Sequence, residues 1–153
     1  IDLGGIGKGY ALDLVVSHFD DWEIESLLIH SGTSSVVARG NRSGAFGWPI
    51  TVGADTCLKE VYLCDESLSG SSLAVLGYHI LKLKSQVVLD TQRRTWAWAP
   101  TGALSDALST SFMVMEVDAI QEICENHKGI GALIIDPDRG NTLQTFGLAR
   151  KHL

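Results

Sequence analysis

Residues 2–9 read Asp2-Leu-Gly-Gly-Ile-Gly-Lys-Gly9, and residues 10–19 place apolar side chains at helical spacing. This stretch predicts a glycine-rich loop that leads into a helix. Because glycine has no Cβ, such a loop lets the backbone approach a ligand closely, while the first turn of the helix offers N–H groups to an anion. Lys8 would add a positive charge beside a phosphate. The spacing matches neither the Walker A loop nor the dinucleotide fingerprint, so a phosphate site and a tight packing turn are both open interpretations.

Short strand patterns outnumber helical ones in the rest of the sequence. Strands are predicted within 26–39, 48–52, 58–64, 67–76, 79–83, 95–99, 131–136 and 142–148. Helical spacing covers 102–116 and again 117–127, and Ser105 is placed to cap a turn that begins at Asp106. Because the strands follow one another without strict alternation with helices, the sequence predicts an α+β fold with a mostly antiparallel sheet and helices packed on it.

The composition is that of an ordinary globular domain, with 153 residues of which 45% are apolar and 20% charged. The net charge is −6 and the basic residues are scattered, so nucleic acid is not an expected partner. Cys57, Cys64 and Cys124 form neither a Cys-x-x-Cys pair nor a Cys/His cluster. This spacing favours buried thiols over a zinc site or a disulfide framework.

A cluster of oxygen-bearing side chains lies in the predicted helix over 102–116. Asp106, Ser109 and Thr110 are three and four positions apart, so they share one helix face. A carboxylate with nearby hydroxyls suits a hard cation such as Mg²⁺ or Ca²⁺. The alternative is structural, because an Asp near a helix N-terminus is favoured by capping and by the helix dipole.

Two further features carry both a functional and a structural interpretation. His79 lies among apolar residues, where it would act as a general base, donate to a phosphate, or simply be hydrogen-bonded within a strand. Trp96 and Trp98 share one face of a predicted strand, where they would stack on a planar ring or pack in the core.

In their order along the chain, these segments resemble the ApbE family, the FAD:protein FMN transferases. Asp2-Leu-Gly-Gly-Ile-Gly-Lys-Gly-Tyr-Ala-Leu-Asp13 is similar to the family's signature Asp-Leu-Gly-Gly-Ile-Ala-Lys-Gly-Tyr-Ala-Val-Asp. The run Ser105-Asp-Ala-Leu-Ser-Thr110 is similar to its Ala-Asp-Ala-Leu-Ser-Thr helix, and Trp48–Gly53 and Ser67–Gly70 resemble two intervening motifs. The resemblance implies a T-fold-like α+β fold, with 1–153 forming the C-terminal portion of an ApbE-like domain whose N-terminal half is absent.

The resemblance also implies roles for individual residues. Asp2, Gly4, Lys8 and Ile80 would lie near FAD, and His79 would be catalytic. The Gly5 carbonyl would bind Mg²⁺ or Ca²⁺ together with Asp106, Ser109 and Thr110. The implied reaction is attack by a Ser or Thr hydroxyl of an acceptor flavoprotein on the FMN phosphorus of FAD, with release of AMP.

One segment departs from the family pattern. Where the family continues His-Ile-Ile-Asp-Pro-x-Thr-Gly, this chain reads His79-Ile-Leu-Lys-Leu-Lys-Ser-Gln86. The departure leaves open a second hypothesis, a non-catalytic FAD-binding or structural relative that has lost the transfer reaction. The family further implies a location on the periplasmic side of the cell envelope, with a membrane tether through an N-terminal lipid anchor.

Overall fold

The computed structural model describes residues 3–54, 57–73, 81–82, 87–88, 91–137 and 142–147. The helices are α1 (Gly7–His18), α2 (Gly102–Phe112) and α3 (Val117–Asn126), and a 3₁₀ helix at Phe19–Trp22 follows α1. The strands are β1 (Leu27–Ser31), β2 (Ser35–Arg39), β3 (Trp48–Ala54), β4 (Cys57–Leu63), β5 (Glu66–Ser72), β6 (Leu81–Lys82), β7 (Val87–Val88), β8 (Arg94–Ala99), β9 (Gly131–Asp136) and β10 (Thr142–Phe146).

The main sheet of the described residues has the strand order β1-β2-β5-β8-β9-β10, and each neighbouring pair is antiparallel. β3 and β4 pair separately as a hairpin, with Trp48 opposite Leu63 and Ala54 opposite Cys57. β6 and β7 form a further short pair. The α+β fold with a mostly antiparallel sheet, predicted from the sequence, is therefore confirmed.

The main sheet has a core on each face, because side chains alternate along every strand. On one face, Ala97 of β8 packs with Phe112 of α2 and Ile120 of α3. On the other face, Trp98 packs with Leu63 of the β3–β4 hairpin. The sheet therefore lies between a helical layer and the hairpin, and α1 completes the helical layer by contacting α2 and β2.

Helix α2 begins one turn earlier than its predicted cap. Thr101 has extended backbone geometry and its side chain accepts the Leu104 N–H at 3.3 Å, which makes Thr101 the N-cap. Ser105, predicted as the cap, lies inside the helix and is fully buried. That prediction was wrong because Ser105 donates to the Gly102 carbonyl and faces the sheet instead.

The prediction of buried thiols is met by one of the cysteines. Cys124 is buried on α3, whereas Cys57 at the start of β4 and Cys64 just after its end are only half-buried. Burial raises the pKa of the Cys124 thiol to about 11, with a smaller contribution from Glu125. In the part of the chain that the structure describes, no helix is long and apolar enough to cross a bilayer.

Candidate active site

The site is built where α1 crosses α2 with their backbones in direct contact. A Cβ placed on Gly9 would lie 1.9 Å from the Gly102 carbonyl oxygen, and a Cβ on Gly102 would lie 2.5 Å from the Gly9 carbonyl oxygen. Since no real Cβ tolerates such distances, both positions require glycine. The crossing therefore brings the start of α1 and the glycine-rich loop before it against the side chains of α2.

Asp106 of α2 is the charged group at the centre of this crossing. It is only 1% exposed. Its Oδ2 accepts the Gly9 N–H at 3.0 Å, and its Oδ1 accepts from Lys8 Nζ at 3.2 Å and from the Ser35 hydroxyl at 3.4 Å. Gly9 lies in the first turn of α1, where the N–H groups lack intrahelical partners. Asp106 therefore caps α1 rather than its own helix.

Thr110 and the glycine loop are neighbours. A Cβ placed on Gly5 would lie 3.3 Å from Thr110 Oγ1. The Thr110 hydroxyl lies 3.3 Å from the Asp106 carbonyl oxygen, to which it donates, and 3.3 Å from the Ser71 hydroxyl. The structure thus places the glycine loop against both predicted residues of α2, with Gly5 beside Thr110 and Gly9 beside Asp106.

Ser109, the remaining predicted ligand on α2, is fully buried. Its hydroxyl donates to the Asp106 carbonyl at 3.0 Å and lies 2.9 Å from the Ser71 hydroxyl. These contacts direct Ser109 against β5, so it supports the helix rather than facing the loop.

Lys8 links the loop to the carboxylate. Besides its contact with Asp106, its ammonium donates to the Gly4 carbonyl at 3.5 Å. About one-third of the Lys8 side chain is exposed. The predicted site residues Asp2, His79 and Ile80 lie outside the described residues.

Hydroxyl groups join α2 to the sheet beside the site. Alternate residues of β5 are serines that face α2: the Ser67 and Ser69 hydroxyls lie 2.9 and 2.8 Å from that of Ser105, while Ser71 reaches Ser109. The Thr95 hydroxyl donates to the Ser109 carbonyl at 2.7 Å. These hydroxyl groups hydrogen-bond to one another in a buried layer between α2 and the sheet. The contacts fix the position of α2 on the sheet and its rotation about its own axis.

The sequence patterns did not predict two residues that the structure places at or beside the site. They are Ser35, which donates to Asp106, and Asp13, which accepts two N–H groups of α2. Ser71, which contacts Thr110, belongs to the serine-rich run at 69–72, a pattern typical of a ligand-binding loop or of a turn. The alternation of serine in Ser67-Leu-Ser-Gly-Ser71 was a signal for a polar sheet face, whereas nothing in the sequence connects Ser35 to a residue of α2.

The donor set matches a hard divalent cation. Asp106 offers a carboxylate, Thr110 a hydroxyl and Gly5 a backbone carbonyl, all oxygen ligands of the kind that Mg²⁺ and Ca²⁺ prefer. In the described ranges, no group of three or more His, Cys, Asp or Glu side chains forms a metal cage. A site with one carboxylate suits Mg²⁺ in particular, because Mg²⁺ usually keeps waters and substrate phosphate oxygens among its ligands.

A cavity of about 350 Å³ lies between the main sheet and the β3–β4 hairpin. Its lining includes Leu28, Ile50 and Trp96, together with Ser35. Trp96 is half-buried and covers Gly70, where a Cβ would lie 2.8 Å from the indole. Trp98, by contrast, is buried in the core. Of the two predicted roles, core packing therefore holds for Trp98, whereas Trp96 lines a cavity.

Solved structures of ApbE proteins have the same architecture. The chain is similar to the flavinyl transferase ApbE of Pseudomonas stutzeri, with 20% identity, a TM-score of 0.79, and coverage of 95% of this chain and 48% of that one. For the flavin transferase ApbE of Vibrio cholerae the identity is 16%, the TM-score 0.78 and the coverage 99% and 51%. For the ApbE protein of Thermotoga maritima the identity is 25%, the TM-score 0.79 and the coverage 95% and 51%. The chain thus spans about half the length of these relatives.

The chain therefore shares the architecture of the corresponding half of these ApbE proteins. The model of the ApbE family matches residues 1–134, and the chain belongs to that family. No curated protein matches the sequence significantly.

Proposed function

We propose that this protein is an FAD:protein FMN transferase that depends on a divalent cation and moves FMN from FAD to a Ser or Thr hydroxyl of an acceptor flavoprotein. The observation that carries the proposal is the contact between the glycine loop and α2: the buried Asp106 carboxylate lies against the Gly9 amide and Lys8, and Thr110, one turn further along α2, lies against Gly5. Family membership and the flavin transferases of the same fold support it.

The chain's own groups would bind the pyrophosphate of FAD at the start of α1. The N-terminus of α1 carries the positive end of the helix dipole, and the Lys8 ammonium lies beside it. Since Lys8 is partly exposed on a flexible stem, it can move from Asp106 to a substrate phosphate oxygen. A phosphate at this place would have a helix terminus and a cation directed at it.

Asp106, Thr110 and the Gly5 carbonyl would hold the cation. The Asp106 carboxylate keeps its orientation through the Gly9 amide, and a carboxylate has lone pairs beyond those that the protein uses. When bound, a divalent cation offsets the negative charge that develops on the phosphoryl oxygens during transfer. Ser109 would act on this site only through the position of α2, because its hydroxyl contacts β5.

The transfer forms one bond and breaks one. The acceptor oxygen bonds to the FMN phosphorus, the bond from that phosphorus to the bridging oxygen of the pyrophosphate breaks, and AMP leaves with the electron pair. The acceptor hydroxyl loses its proton, and His79 stays the residue predicted to be catalytic, as a general base or as a donor to the phosphate. The periplasmic location and the lipid tether likewise stay predictions.

A second candidate function is FAD binding without transfer. The departure from the family pattern at Lys82–Gln86 favours it, since the segment lacks the family's Asp, Pro and Gly. The two candidates differ in the fate of FAD.

The experiment that tests the proposal incubates the purified protein with FAD, MgCl₂ and a peptide that carries a flavinylation motif. We expect AMP in the chromatogram and a peptide heavier by the mass of FMN, minus water. Asp106→Asn should abolish both, whereas the control Asp118→Asn should retain them, because Asp118 is an exposed first-turn acid of α3. Bound FAD that stays intact with wild-type protein supports the second candidate and contradicts the first.

A further inference from the structure

Asp13 connects the two helices of the site at the N-terminus of α2. It lies on α1, and its carboxylate accepts the Gly102 N–H at 2.6 Å and the Ala103 N–H at 2.8 Å. These are the first N–H groups of α2, which have no intrahelical acceptor. Asp13 therefore caps α2 from the neighbouring helix.

The contact is the counterpart of the one that Asp106 makes. Asp106 lies one helical turn after Gly102 on α2 and caps α1 at Gly9, while Asp13 lies one turn after Gly9 on α1 and caps α2 at Gly102. Each helix thus contributes a glycine to the crossing and an aspartate to the other helix's N-terminus. Together the two carboxylates hold the helices in one register.

The glycines alone do not fix that register. They provide space for close approach but no directional bond, since the contact is backbone against backbone. Direction comes from the carboxylate hydrogen bonds, and charge-assisted bonds of this kind are the stronger class. The Thr101 cap does not replace Asp13, because it is a contact within α2 that does not reach α1.

We propose that Asp13 is a positioning residue for the cation site: by capping α2 it sets where the Asp106 carboxylate stands relative to Gly5 and Gly9. The functional half of this inference rests on the proposed function, whereas the geometric half does not. Asp13 would touch neither substrate nor cation in this arrangement. Its effect passes through Asp106.

The test compares Asp13→Asn with Thr101→Ala. Asparagine keeps the size of the side chain but loses the charge and one of the two acceptors, while Thr101→Ala removes an α2 cap that leaves α1 untouched. Both variants weaken the N-terminus of α2. Only the first releases α2 from α1, so an effect confined to the cap of α2 would leave the Gly9–Asp106 contact unchanged in both variants.

The geometric readout is hydrogen exchange at the Gly9 amide, whose N–H is accepted by Asp106. We expect Asp13→Asn to speed this exchange by about tenfold or more, because local opening of the Gly9–Asp106 bond becomes easier, and Thr101→Ala to leave it within about twofold of wild type. Equal Gly9 exchange in Asp13→Asn and wild type would overturn the inference, whatever the protein binds.

The functional readout is Mn²⁺ affinity, measured by electron paramagnetic resonance without FAD at a temperature where all variants are folded. We expect Asp13→Asn to weaken Mn²⁺ binding by about tenfold, as for other residues that orient a metal ligand, and to have no further effect in an Asp106→Asn background. Unchanged Mn²⁺ affinity in Asp13→Asn would overturn the positioning role. Wild-type protein that binds no Mn²⁺, yet shows faster Gly9 exchange in Asp13→Asn, would refute the proposed function and retain the geometric inference.

Discussion

Gly9→Ala should destabilise the protein more than an ordinary glycine substitution in a helix. The added Cβ would lie 1.9 Å from the Gly102 carbonyl oxygen, whereas real Cβ atoms do not approach within 3.0 Å, so α1 and α2 must separate by about 1.1 Å, the difference between these distances. Overpacking of a close contact costs about 1–3 kcal/mol. Because both partners are backbone rather than flexible side chain, we expect a cost at the upper end, about 3 kcal/mol.

The assay is thermal unfolding followed by circular dichroism. For a domain of this size each kcal/mol shifts Tm by about 2–4 °C, so Gly9→Ala should lower Tm by about 6–12 °C. Gly7→Ala is the matched control, since a Cβ there would meet only Leu3 at 3.7 Å. Alanine is favoured over glycine in a helix by up to about 1 kcal/mol, so this variant should be neutral or stabilised.

The same two variants also test the effect of the helix crossing on ligand binding. Separation of the helices lengthens the bond from the Gly9 amide to Asp106, so Gly9→Ala should weaken FAD binding in the presence of Mg²⁺ even well below its Tm. A Gly9→Ala protein with wild-type Tm, or a Gly7→Ala protein destabilised to the same extent, would refute the direct backbone contact at the crossing.

Three other predictions follow from single contacts. Lys8→Met should raise the affinity for Mn²⁺ without FAD by up to about fivefold, because the Lys8 ammonium, 3.2 Å from Asp106, competes with the cation and a partly exposed ion pair contributes at most about 1 kcal/mol. Weaker Mn²⁺ binding in a calorimetric titration would contradict this. Arg93→Met should lower the free energy of unfolding, measured in urea, by about 3–5 kcal/mol, because Arg93 pairs with the buried Asp136 carboxylate at 2.5 Å. A loss below about 1 kcal/mol would contradict this prediction. Cys124 should react with iodoacetamide at pH 8 far more slowly than the half-buried cysteines. Its pKa, raised to about 11, leaves about 0.1% of the thiol ionised at pH 8, and the thiolate fraction grows only as the pH rises. Equal alkylation of all the cysteines, measured by mass spectrometry, would contradict this.

The sequence predicted the fold class because its strands carry local, readable patterns. The Val and Ala residues of β2 and the alternation of polar and apolar side chains in β5 are properties of neighbouring residues. The bounds of α2 were less accurate. Ser105 and Thr101 are both capping residue types, and the choice between them depends on the serine face of β5, which holds Ser105 inside the helix.

Two sequence motifs, the glycine loop at 2–9 and the run at 105–110, indicated candidate site residues. No local pattern in the sequence indicates how the two motifs lie relative to each other. Helical spacing placed Asp106 and Thr110 on one face but could not show that the face meets the glycine loop. The close approach depends on Gly9 and Gly102, each of which has a structural role only in the presence of the other. The two capping contacts, of Asp106 with α1 and of Asp13 with α2, were not predictable for the same reason, because each contact joins residues far apart in the sequence.

The central feature of the proposed active site is a single divalent cation shared by the loop before α1 and the side chains of α2. A crystal structure of the protein with FAD and Mn²⁺, with data collected at the manganese absorption edge, tests it directly. We predict an anomalous peak within about 2.0–2.4 Å of an Asp106 carboxylate oxygen, with Thr110 Oγ1 or the Gly5 carbonyl also among the ligands. A manganese ion bound elsewhere, with the Asp106 carboxylate still hydrogen-bonded to Gly9, Lys8 and Ser35, would contradict a cation shared at this site.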